Sequence, residues 1–196
     1  MSLRQRIPFR YFDAEEETER VLDEQEQEEL IQDLRRQSDS SNNLYVTLLH
    51  VLLALSGIVH LIYLYSPTKE SPFSALLGSH SPAPPIPLAS AFDVLHMLLH
   101  LHLHLHLLHP EHPIRRMLSS APNIPFPLPL THPLILTAPA LAPVLSLLLR
   151  RDWRDALWWS VASGMTWLVY STLKWIQKNE EDIHELEKMQ YDARGA

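Results

Sequence analysis

Between Tyr45 and Tyr65 the chain reads YVTLLHVLLALSGIVHLIYLY, 21 residues without a formal charge. As a helix that run is about 30 Å long, which matches the hydrocarbon thickness of a bilayer. The segment is not isolated. Of the 16 Lys+Arg and 23 Asp+Glu in 196 residues, positions 44–176 hold only 7 and 5. Positions 1–43 carry 6 basic and 12 acidic groups, and positions 177–196 carry 3 and 6. The mean hydropathy of −0.09 therefore averages two charged tails with an apolar centre.

The expected fold is an all-α membrane protein with about four transmembrane helices, at 45–65, 88–108, 134–149 and 156–176. They would lie between an acidic cytosolic N-terminal tail (1–43) and a charged helical C-terminal tail (177–196). Asp13 to Gln37 is rich in Glu, Gln, Arg and Leu and predicts a solvated helix of coiled-coil type. Ser38 to Asn43 (SDSSNN) predicts a polar hinge, with Asn42 or Asn43 capping the next helix.

Each span has its own signature. Tyr45, Tyr63 and Tyr65 suggest interfacial aromatics, and Ala54, Ser56 and Gly57 offer a patch for close helix approach. Ser66 to Pro87 is a Pro-rich loop, and Pro122 to Pro133 cannot form a regular helix because each Pro lacks an N–H. The apolar stretch 134–149 contains Pro139 and Pro143, so it is either a kinked third span or a re-entrant segment. In the last span Trp158, Trp159 and Trp175 predict interface positions, and Ala156, Ser160 and Gly164 predict a helix-packing face.

Arg35, Arg36, Arg115, Arg116, Lys174 and Lys178 fall on one side of a four-span arrangement. The positive-inside rule then puts both termini in the cytosol. The RRDWRD turn at 150–155 dissents. A re-entrant 122–149 would move that turn to the cytosol and the C-terminal tail to the other side.

The second span, LASAFDVLHMLLHLHLHLHLL, holds five of the twelve histidines. Asp93, His96, His100 and His104 share one helical stripe, while His102, His106 and His109 lie roughly opposite. Imidazoles one turn apart beside a carboxylate suit a divalent transition metal such as zinc. His50 and His60 on the first span are candidates to lie opposite. The competing reading is a low-complexity Leu-His expansion whose imidazoles only hydrogen-bond to neighbouring helices.

HMLLH (His96 to His100) resembles the HxxxH box of membrane di-iron desaturases and hydroxylases, and HPEH (His109 to His112) resembles half of their HxxHH box. No HxxHH occurs in the chain. His50 or His60 with His100 is similar to the paired ligands of small four-span haem cytochromes. Either resemblance implies a membrane oxidoreductase.

Other chemistry is excluded or unsupported. With no Cys there is no disulfide, thiolate nucleophile or Cys-ligated metal. Four Gly and no Gly-rich loop argue against nucleotide binding, and the basic residues are too few for nucleic acid. Met1 to Phe12 has Arg but no apolar core, unlike a secretory signal. The expectation is a non-catalytic accessory, assembly or scaffold subunit of the endoplasmic reticulum membrane, without a cofactor, whose partners are the bilayer and another membrane protein. The alternatives are a metal-binding or metal-transporting protein, a membrane oxidoreductase, and a mitochondrial location.

Overall fold

The computed structural model describes residues 24–78, 85–109, 111–119 and 128–194. The expected basic N-terminus, the first part of the 13–37 helix and the first half of the 122–133 stretch lie outside them. The described residues contain only helices, at Glu24–Tyr65 (α1), Pro72–Leu76 (α2), Ala89–Leu107 (α3), Pro113–Ser119 (α4), Pro133–Thr137 (α5), Leu141–Leu148 (α6) and Trp153–Arg194 (α7), with a 3₁₀ turn at Ala138–Ala140.

Four layers pack as an up-down-up-down bundle. α1 lies against α3 and α7, and the broken rod α5–3₁₀–α6 lies against α7 and touches α3. The directions follow from pairings: His60 meets Asp93 while His50 meets His104, so α1 and α3 are antiparallel. Tyr63 meets Trp158 while Tyr45 meets Trp175, so α1 and α7 are antiparallel too. One apolar cluster joins Leu49, Leu53, Leu99, Leu103, Ala162 and Val169, and a second joins Tyr63, Ile86, Ala142, Trp158 and Trp159.

The predicted hinge at Ser38–Asn43 is absent, because α1 is one helix of 42 residues. Ser, Asp and Asn are weak rather than forbidden helix residues, and here tertiary contacts hold them. Asn42 is buried and its amide donates to Ser38 Oγ at 3.5 Å. Thr47 Oγ1 donates to Asn43 O, one turn back. Arg35 pairs with Glu187 at 2.7 Å and Tyr45 packs edge-on to Trp175. α7 likewise runs 42 residues from bundle into tail, so both charged segments extend from the same end.

Among the described residues one helix, Gln25–Tyr65, is long and apolar enough to cross a membrane. The four-span expectation is therefore not supported as it stands. The segments at 88–108 and 156–176 do form helices, but His and Trp dilute their hydropathy. The 134–149 segment is too interrupted to count as one helix, since Pro139 and Pro143 split it into α5, a 3₁₀ turn and α6. Pro143 removes the N–H that would reach Pro139 O, and Ser163 Oγ of α7 donates to that carbonyl at 2.9 Å instead. α6 ends with Arg150 in the left-handed region (φ 52°), where Arg151 N reaches Ser146 O and Arg150 N reaches Leu147 O. That is a Schellman closure built on a non-glycine residue.

The predicted packing face of α7 is displaced. Ala156 and Ser160 are half-buried and Gly164 is exposed, with nothing within 4 Å of an added Cβ. The contact stripe instead runs through Ala162, Thr166 and Val169, because Trp158 and Trp159 claim the inner face at the helix start. Those two indoles are core residues, not interface anchors, while Trp153, Trp167 and Trp175 are exposed. Ala162→Phe should therefore cost about 1–3 kcal/mol by overpacking. Gly164→Ala should be silent or stabilise by up to about 1 kcal/mol through helix propensity. Thermal unfolding in detergent reads both, and equal melting of the two variants would refute the stripe.

Candidate functional site

α1 and α3 meet through polar side chains in register. His60 Nδ1 donates to Asp93 Oδ1 at 2.7 Å, and both side chains are fully buried. One turn along, His100 Nδ1 donates to His96 O at 2.7 Å, which leaves Nε2 to accept from Ser56 Oγ at 2.8 Å. Farther on, His50 and His104 share a ring-nitrogen contact at 2.9 Å and stack with centroids 5.1 Å apart. Each step up α1 is a step down α3, which is why one regular stripe finds three successive partners.

His96 sits between these pairs. Its ring is edge-on to His60 at 5.4 Å and to Trp159 at 5.7 Å, and neither of its ring nitrogens has a hydrogen-bond partner. His60 also contacts His100 at 5.3 Å and lies against the Trp158 indole at 4.5 Å. His60 Nε2, Asp93 Oδ2 and Trp158 Nε1 are likewise buried without partners. Five unsatisfied polar atoms thus crowd one place, where a folded protein normally pairs nearly all of them.

The sequence stripe Asp93, His96, His100 and His104 is therefore real as a surface toward α1, but its members do not converge. They span about 16 Å of helix, since eleven residues separate the ends. Among the described residues no group of three or more His, Asp or Glu is placed to hold a metal ion. The Asp93–His60 bond does orient an imidazole in the manner of a carboxylate that backs a metal ligand. It supplies one such nitrogen, not a set.

The opposite stripe has a different job. His102 Nε2 donates to Leu128 O at 3.1 Å, and His106 Nε2 donates to the same carbonyl. Leu128 lies in the Pro-rich stretch, where scarce N–H groups leave carbonyls without backbone donors. The Leu-His alternation thus serves two polar seams at once.

Beyond the His60 end lies a cavity of about 260 Å³, lined by Tyr63, Lys69, Ser71, Asp155, Trp158 and Trp159 among others. Lys69 Nζ donates to Tyr63 O at 3.2 Å and to Leu64 O, which closes the C-terminus of α1. Burial pushes the Asp155 carboxyl above its ordinary range, against the opposing charge of Arg151. On the outer side, Ala54 and Gly57 with Leu61, Met97 and Leu101 form an apolar groove that reaches His100 and His104. The patch expected to seat a helix is here a groove wall.

Sequence spacing singled out Asp93 and its stripe, and offered His60 and His50 only as possible counterparts. It read Trp158 and Trp159 as interface positions and not as the walls of this site. Comparison with known proteins adds one family. A model of the family described as YGR016W matches residues 7–85, less than half of the chain. No curated protein and no solved structure matches. The likeness covers α1 with His50, Ser56 and His60, and stops before Asp93 and the histidines of α3.

Proposed function

We propose that this chain is a small polytopic protein of the endoplasmic reticulum membrane that acts as a non-catalytic accessory or assembly subunit. The observation that carries the reading is the inverted distribution of polarity. Leu48, Leu52, Leu55, Ile58 and Ile62 of α1 are exposed, as are Leu98 and Leu101 of α3 and Val144 and Leu147 of α6. Asp93, His60, His96 and His100 are buried behind them. An apolar outside over a polar inside suits lipid as the surrounding solvent and is costly in water. The buried Asp93, His96, His100 and His102 of α3 and Trp158 and Trp159 of α7 lower the hydropathy through side chains that face inward, so those helices remain compatible with spanning.

The paired ends of α1 and α7 support the accessory role. They form a charged two-helix stalk beyond the apolar belt, with Leu30 and Met189 exposed on it as contact points for another protein. A divalent-metal role or a redox role draws less support, because the histidines of the stripe do not converge on one point.

Protease treatment of sealed microsomes should remove tags at both termini, since the membrane-proximal Lys and Arg favour a cytosolic stalk. A protected C-terminal tag beside an accessible N-terminal one would favour the re-entrant arrangement. In mild detergent the parent should migrate as a complex larger than its own 22.6 kDa and micelle. Leu30→Glu with Met189→Glu should release it from that complex, and a parent that runs alone would refute the accessory role.

A further inference from the structure

We propose that the polar seam between α1 and α3 is a proton-transfer path through the bundle. The inference rests on the membrane reading above. It starts from a continuous file of titratable side chains where a bundle in lipid would ordinarily have Leu. From the cavity end the file runs His60 with Asp93, then His96 and His100, then His104 with His50. Ring centroids of 5.4 and 5.3 Å link His60 to His96 and to His100, and the His50–His104 nitrogens are 2.9 Å apart. One helical turn separates His100 from His104, a gap that the proposed path crosses through one water.

The unpartnered atoms are what set this seam apart from ordinary helix–helix bonding. A static polar seam satisfies its members, as His102 and His106 do on Leu128 O. His96 has both nitrogens buried and free, and His60 Nε2 and Asp93 Oδ2 are free beside it. An imidazole can accept a proton on one nitrogen and release one from the other, so a ring with two open nitrogens is a relay element. Polar groups held inside a bilayer are otherwise expensive to keep.

The file is capped at one end and partly open at the other. At one end Trp158 and Tyr63 separate His60 from the cavity in which Asp155, Lys69 and Arg151 lie. At the other, His50 and His104 are half-exposed, and His109 just past α3 is exposed. α7 presents Trp158, Trp159 and Thr166 toward the interior, and α6 presents Ser146, so between Asp155 and Tyr170 the titratable groups of the seam come from α1 and α3 alone.

The step conserves atoms and charge. An arriving proton forms an N–H bond at His60 Nε2, Nδ1 gives up its proton to Asp93 Oδ1, and the carboxyl hands one on to the next imidazole. The relay repeats at His96, at His100 once its Nδ1–H leaves His96 O, and at His104, and the last ring releases a proton to water. Each ring ends as the opposite tautomer and turns back about its side-chain bonds before it carries the next proton, and the pH difference across the membrane supplies the drive.

The test uses the full-length protein in phosphatidylcholine vesicles holding a pH-sensitive dye, with a potassium gradient and valinomycin to balance charge. The parent should take up protons at least tenfold faster than protein-free vesicles. Asp93→Asn, which keeps a partner for His60, and His96→Leu, which breaks no hydrogen bond, should each cut that excess at least tenfold. His102→Leu with His106→Leu should leave it within twofold. Flotation after a carbonate wash, run on the same vesicles, reports whether the chain is integral. Integral parent protein without flux overturns the proton path and spares the membrane reading, and a chain that washes off overturns both. Full flux in Asp93→Asn and His96→Leu also overturns the path.

Discussion

Ile58→Arg is expected to remove most of the chain from the carbonate-resistant membrane fraction. Ile58 lies inside the 21-residue uncharged run and is 53 % exposed on the outside of the bundle. If that outside faces lipid, an Arg there costs about 2.5–3.5 kcal/mol of insertion free energy, on the order of a hundredfold in partitioning. If it faced water, the same substitution would fall within about 0.5 kcal/mol of neutral. Leu30→Arg is the matched control, because Leu30 is equally exposed but sits on the charged stalk. Equal membrane recovery of the two variants would refute the proposed lipid-facing belt.

Asp93→Ala should produce the largest loss of stability of any single truncation in the bundle. It leaves His60 Nδ1 buried without its acceptor in a place where four other polar atoms already lack partners. Removing one member of such a buried pair costs about 3–5 kcal/mol. The double variant Asp93→Leu with His60→Leu should recover much of that loss, since two apolar groups of similar volume strand nothing. Thermal unfolding in detergent of the two singles and the double completes a cycle whose coupling energy measures the pair. Additive losses would show that the pair is not the source of the effect.

Helix content was legible in the sequence because the apolar runs are long and the charge is segregated. The inner and outer faces were legible only where periodicity is one-sided, as in Asp93, His96, His100 and His104. α7 misled for a local reason. Its small residues at Ala156, Ser160 and Gly164 form a clean repeat, but Trp158 and Trp159 fill the interior and rotate a different stripe inward. SDSSNN misled in the opposite way, since weak helix formers between strong ones stay helical once Arg35, Tyr45 and Asn42 are tied to α7 or to the helix itself. The Leu-His alternation has no single-face period, and its two-sided use became visible only with the Leu128 carbonyl beside it. A pairing such as His60 with Asp93 depends on register between distant helices, which no local pattern encodes.

The uninterrupted run of α1 from Glu24 to Tyr65, matched by α7, has a mechanical consequence. Residues 24–43 form an arm about 30 Å long, and no joint separates it from the segment that carries His60. Flexible linkers absorb torque, whereas a continuous helix transmits it. The two arms are also clamped together by Arg35–Glu187 and Tyr45–Trp175, so a load on one tilts both. Whatever grips the tips of the arms therefore has leverage over the gap between α1 and α3, where a fraction of an ångström decides whether neighbouring imidazoles touch.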